Sequence, residues 1–212
     1  MSAPDTAAAP ATAAPGELHP TTAYYRDQSA RFAAVLDGVD TTGGRWDAPT
    51  PCEGWTVRDV VAHVVDTERE FLERHDLAGD LPAVATATAG TGSDPAATWR
   101  TWSAAVLDVL TADGVAERAF EGYFGPTTVG ETLRDFYAWD LVVHGWDVAR
   151  ATGQDYPISD AEAREVGARA DGWGDALYSP GVCAGPVAVG EDATEAERLL
   201  ARLGRDPYWT AP

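Results

Sequence analysis

The stretch FYAWDLVVHGWDVARATG, residues 136–153, decides the fold class. Residues four apart on a helix share a face, so Asp140 and His144 point the same way. Leu133, Phe136 and Ala151 fall on that face as well, which makes it a core-facing stripe with two ionisable groups set into it. The spacing predicts a helix over 131–152, stopped at Gly153. A second stretch, VRDVVAHVVDTE at 57–68, has the same character. Thr56 with Asp59 three residues on forms a capping box, and Val57, Val60, Val64 and Phe71 make the apolar stripe. His63 lies roughly 100° from Val64, at the edge of that stripe.

Polar groups on an apolar stripe must be paired or ligated to be tolerated. Two imidazoles and one carboxylate, His63, His144 and Asp140, make a three-ligand set with room for a water or substrate, as catalytic zinc and non-haem iron sites use. The spacing leaves blander readings open. His63 also fits a core-edge histidine hydrogen-bonded to a neighbour, and Asp140 with His144 also fits a simple buried pair. There is no HExxH motif and no CxxC pair. Asp147, three residues after His144, either orients that imidazole as an outer acceptor or faces another helix or solvent. His75 follows EREFLER (68–74) and reads as a solvated surface residue, and His19 belongs to the tail. Cys52 and Cys183 read as partly buried loop thiols rather than nucleophiles, because no histidine stands near Cys52 in sequence to lower its pKa. The tryptophans read as core, with any at the mouth of the bundle free to shape a pocket.

Working outward, the residues from Thr22 form an amphipathic helix bearing Tyr25, Phe32, Leu36 and Val39 that stops near Gly38. Asp94 as N-cap and Pro95 at the first helical position open another, with Trp99, Trp102, Val106 and Leu110 as its stripe. Between them, 78–93 is nearly all Gly, Ala, Thr and Pro and reads as a long crossover. VAERAFEGYFGPTTVG (115–130) reads as an irregular loop or short hairpin. Ser159 with Glu162 caps a helix bearing Val166, Ala170, Trp173 and Leu177, and ATEAERLLARLG (193–204) gives a last one. The expectation is an all-α fold of four long helices with one long crossover and a helical C-terminal appendage.

The 212 residues favour one domain. A formal charge of −19 argues against nucleic acid and anionic membrane surfaces as partners. No apolar run approaches a membrane span. The start, MSAPDTAAAPATAAPGELHP, has neither a basic n-region nor an apolar h-region. Its Ala/Pro/Thr bias reads as a disordered tail over 1–20, ahead of a domain over 21–212. Two cysteines make no disulfide framework, and a reduced cytoplasmic protein is expected.

Three blocks carry a resemblance: WDAPTPCEGWTVRDVVAHVVDTE (46–68), WDLVVHGWDVARATGQ (139–154) and ERLLARLGRDPYW (197–209). They resemble the mycothiol-dependent maleylpyruvate isomerase N-terminal-domain family, part of the wider DinB-like metal-binding superfamily, and the likeness covers most of 21–209. The resemblance implies an up-down-down-up four-helix bundle. It also implies a divalent metal, usually zinc, held at one end by His63, Asp140 and His144. In the isomerase the matching carboxylate is a glutamate, and a separate C-terminal domain contributes to catalysis, so a short single-domain form is expected here. The function implied is a metal-dependent thiol transferase, isomerase-like, using mycothiol as cosubstrate on a small electrophile. The alternatives are a hydrolase or lyase that uses metal-bound water, and a non-catalytic metal-binding bundle. Partners are then a small-molecule thiol and an electrophile, with the protein a monomer or homodimer.

Overall fold

The computed structural model describes residues 17–79, 81–82 and 94–212. Four helical stretches form the bundle: α1 (Pro20–Asp37), α2 (Val57–Arg74), α3 (Pro95–Thr111) and a broken fourth. The fourth is α4 (Val129–Thr132), a π-helical turn (Leu133–Ala138) and α5 (Trp139–Thr152). The helices start where the caps put them. Thr56 and Asp59 form the reciprocal capping box of α2, and Asp94 accepts from the Ala96 N–H ahead of Pro95. His19, from the stretch assigned to the tail, caps α1 by accepting from the Thr21 N–H. The rest of that tail, 1–16, and most of the 78–93 crossover lie outside the described residues.

Contacts between helices fix their directions. Tyr25 of α1 and Trp102 of α3 meet at Glu68 of α2, and Trp99 donates to the Ser29 carbonyl further along α1. Chain progress along α1 thus runs backward along α3. Phe71 packs on Tyr137 while the earlier His63 meets the later Asp140, so α2 runs against the fourth stretch. Gln154, just past α5, donates to the Val35 carbonyl near the end of α1, so those two run together. The result is up-down-down-up. α1 packs on α3 and α5, α2 also packs on α3 and α5, and α1 and α2 therefore oppose each other diagonally.

The core between them holds Trp99, Trp102, Phe32, Leu36 and Leu72, all at most 1% exposed. Leu141 to Ala149 of α5 are all buried, as expected of a helix covered on every side. Its outer face enters a second, smaller core with α6 (Asp160–Asp171), α7 (Glu195–Arg202) and the 3₁₀ turn Gly174–Tyr178. Trp139 anchors that face by donating to the Val166 carbonyl at 2.9 Å. Gly145 is required here, because a Cβ on it would lie 2.5 Å from the Tyr156 hydroxyl.

Of the two forms expected for 115–130 the chain takes the hairpin, and one local feature breaks the helix expected over 131–152. The 115–130 segment forms an antiparallel hairpin, β1 (Ala119–Gly122) with β2 (Gly125–Thr128), turning at Tyr123 and Phe124. After the single turn of α4 that follows the hairpin, the fourth helix widens into the π turn. Wide turns of this kind frequently lie at functional sites. This one ends two residues before Asp140 and turns Phe136 toward the bundle end instead of the core. Among the described residues, no helix is long and apolar enough to cross a membrane.

Candidate metal centre

His63, Asp140 and His144 converge. One ligand atom from each lies within 4.8 Å of the others. His63 Nε2 is 3.2 Å from Asp140 Oδ2, and His144 Nε2 is 3.4 Å from Asp140 Oδ1. Asp140 therefore stands between the two imidazoles with one oxygen toward each. The Trp55 indole covers both rings, at 4.7 Å from His63 and stacked within 21° on His144 at 5.7 Å.

Behind His144 the polar chain continues inward. Asp147 is fully buried, and its Oδ2 lies 2.9 Å from His144 Nδ1. The same oxygen accepts from Arg205 at 3.1 Å, and Arg205 also donates to the Leu203 carbonyl. Burial alone would raise the Asp147 carboxyl, but the Arg205 guanidinium and His144 hold it below the ordinary carboxylate value. Asp147 is thus an acceptor, and the proton between it and His144 sits on Nδ1. His144 Nε2 in turn faces Asp140 Oδ1. The two atoms lie 3.4 Å apart, a spacing that either a shared proton or a metal ion between them satisfies.

Asp140 is charged. Burial opposes that, yet His144, the hydrogen bond with His63 and the Arg205 charge hold its carboxyl down to about 2. Burial likewise opposes charge on His63, and the hydrogen bond and charge of Asp140 outweigh it, raising the imidazole pKa. Two nitrogens and a carboxylate oxygen are the donors that zinc and similar divalent ions take. A neutral imidazole with its far nitrogen pinned by a carboxylate is the arrangement that ligating histidines adopt. The residues present fit a divalent metal.

The cluster forms part of the lining of a cleft of about 900 Å³. His63 and Asp140 side chains are about a quarter exposed to it, while His144 and Asp147 lie behind. Both cysteines line the cleft too, Cys52 with its sulfur 3.9 Å from Arg205. Burial pushes the Cys52 thiol up to about 11 and raises Cys183 as well, so both are protonated at neutral pH. His75, read as a surface residue, instead packs on Phe71 and Phe120 along the cleft wall. Arg205 carried no sequence signal as part of this site. It stands 58 residues from Asp147, and its place in ERLLARLGRDPYW reveals only that it follows a helix.

Fold and site define a class: a DinB-like four-helix bundle with a His/Asp/His cluster at one end. The model of the mycothiol maleylpyruvate isomerase N-terminal domain matches residues 25–149, and the chain belongs to that family. It is 30% identical over 139 residues to the uncharacterized proteins MT0763 and Rv0738 of Mycobacterium tuberculosis (strains CDC 1551 / Oshkosh and ATCC 25618 / H37Rv), covering 65% of this chain and 69% of each of theirs. No solved structure matches it significantly.

Proposed function

We propose that the protein is a divalent-metal-dependent thiol transferase that joins a low-molecular-weight thiol, mycothiol in the first instance, to a small electrophile. The observation that supports this most is the convergence of His63, Asp140 and His144, with one ligand atom from each within 4.8 Å of the others at the cleft, in a chain of the mycothiol maleylpyruvate isomerase family. His63, Asp140 and His144 would hold the metal, with zinc the natural choice for this donor set. When bound, such an ion ionises a coordinating thiol at neutral pH.

The chain's own groups do the rest. Asp140 brings the negative charge that draws the cation. Asp147 fixes the tautomer of His144, and Arg205 keeps Asp147 ionised. Trp55 shields the imidazoles from water. In the transfer the thiol gives its proton to solvent and its sulfur pair forms the bond to carbon. The pair displaced from that carbon leaves with the leaving group, or is protonated where the electrophile is an unsaturated carbonyl. Neither protein cysteine serves as the nucleophile, since burial keeps both as thiols.

The test is metal content, then thiol dependence. Purified protein should take up one divalent ion, and Asp140→Ala should lose it, because two neutral imidazoles hold zinc less well than a charged three-donor set. Metal-loaded protein is then assayed on a panel of electrophiles with and without mycothiol. Turnover indifferent to thiol gives the site to hydrolase or lyase chemistry, and failure of wild-type protein to bind metal overturns every metal-dependent reading.

A further inference from the structure

Beyond the cluster, the cleft continues between two aromatic walls. Along α2 one face presents His63, Thr67, Phe71 and His75, each a helical turn further on, and Phe120 of β1 closes against the last two. On the opposite wall Phe136 lies flat against Trp173, with ring centroids 4.8 Å apart and planes within 4°. Phe124, at the tip of the hairpin, extends the same stack with its plane within 11° of Phe136 at 6.1 Å. All of these side chains line the cleft. Phe136 precedes Asp140 by four residues, about 6 Å along the helix axis, so the stack begins beside the cluster.

Three observations converge on one kind of ligand. First, Trp173, Phe136 and Phe124 form one run of near-parallel rings whose Phe124 end is half exposed, so a flat ring added there continues the stack in the offset geometry that rings favour. Second, the hairpin tip holds Phe124 half exposed and Tyr123 87% exposed, an apolar pair whose exposure a ligand in the cleft would reduce. Third, the guanidiniums beside the stack and the cluster are already engaged. Arg169 binds Asp135, Glu165 and the Tyr24 hydroxyl, and Arg205 binds Asp147. Beside the stack the ligand is therefore held by its faces, and Arg74, which also lines the cleft, lies further along the α2 wall. A cleft of about 900 Å³ has room for such a molecule together with a thiol.

We infer that the cleft takes a flat aromatic molecule of one or two fused rings, seated on the half-exposed Phe124 end of the Trp173–Phe136–Phe124 stack. That this molecule is the electrophile rests on the thiol-transferase reading; that the cleft prefers flat aromatic ligands does not.

The experiment measures binding of 2-naphthamide and of its fully saturated decalin counterpart to the full-length chain, with and without added zinc, by tryptophan fluorescence and calorimetry. Naphthamide should bind about tenfold more tightly than the saturated amide. Phe136→Leu keeps an apolar side chain but removes the ring plane, and it should weaken naphthamide by about 3–10-fold. It should leave the saturated amide and the zinc stoichiometry unchanged. Phe124→Ala alters a half-exposed side chain at a turn, where the fold is not at risk, and should also weaken naphthamide selectively. Equal affinity for the two amides, or naphthamide binding indifferent to both substitutions, overturns the inference. Loss of the function reading is separately visible: absent zinc uptake with the naphthamide preference intact would sink the transferase and spare the aromatic site.

Discussion

Two polar clusters are buried in this bundle five residues apart along α2, and they are built in opposite senses. At Glu68, the carboxyl is 1% exposed and accepts from the Tyr25 hydroxyl at 2.9 and 3.0 Å and from Trp102 Nε1 at 2.7 Å. Burial pushes it up to about 8 against the pull of those two donors. It is therefore mostly neutral at pH 7, and it closes on itself while tying α1, α2 and α3 together. At His63 the neighbouring cluster is charged, faces a cleft, brings three ligand-capable atoms within 4.8 Å of one another and leaves Asp147 Oδ1 without a partner. A closed polar cluster specifies which helices meet. An open one whose ligand atoms converge has the donors to hold a cation.

The hardest break falls on the buried ion pair behind the open cluster. Arg205→Met should lower stability by about 3–5 kcal/mol, because Asp147 is left charged and buried with its main partner gone. Denaturant unfolding measures it, and a loss under about 1 kcal/mol would show that Asp147 finds another partner. Next comes Glu68→Ala, which strands the Tyr25 hydroxyl and the Trp102 N–H and opens a small void, at a cost of about 2–4 kcal/mol. Metal uptake should survive it, which separates the two clusters directly.

The closed cluster can also be probed without breaking it. Glu68 has a folded pKa of about 8 against an ordinary glutamate value of 4.5 in the unfolded chain. Its stabilisation is therefore complete below about 4.5 and is lost as pH rises through about 8, since the unfolded chain gives up the proton first. Asp140 and Asp147 act the other way, their pKa values being depressed. Measured as the difference between wild type and Glu68→Gln, stability relative to the variant should fall from pH 5 to pH 8. A flat difference would mean that Glu68 is ionised in the fold. Asp147→Asn should weaken metal binding by roughly 10–100-fold, as expected when an imidazole loses the acceptor that orients it. A competition titration with a chelator reads this. The smallest effect is Cys52→Ser, which should leave thiol-dependent turnover essentially unchanged. A collapse of activity there would make the protein thiol, rather than the added one, the nucleophile.

Much of this was visible along the chain. The capping boxes, Pro95 and the stripes of α1, α2 and α3 placed the helices, and i,i+4 spacing set Asp140 over His144. Glu68 had a signal that could have been used. It falls on the apolar stripe between Val64 and Phe71, and a carboxylate there must find buried donors. For the hairpin the sequence admits two forms, because Gly122 and Gly125 flank aromatic residues that suit a strand as well as a turn.

Periodicity and capping are local, so the sequence alone determined the helices, their inward faces and the candidacy of His63, Asp140, His144 and Asp147. It could not determine which of those polar groups would be closed off and which would open on a cleft. That depends on atoms brought in from far along the chain: Arg205 behind Asp147, Trp55 over the imidazoles, Trp173 and Phe124 beside Phe136. The π turn that aims Phe136 outward is likewise a product of packing, since its six residues suit an ordinary helix equally well. Tertiary contact supplied the lone pairs' surroundings, and in a buried site the surroundings decide whether a histidine and an aspartate merely pair or wait for an ion.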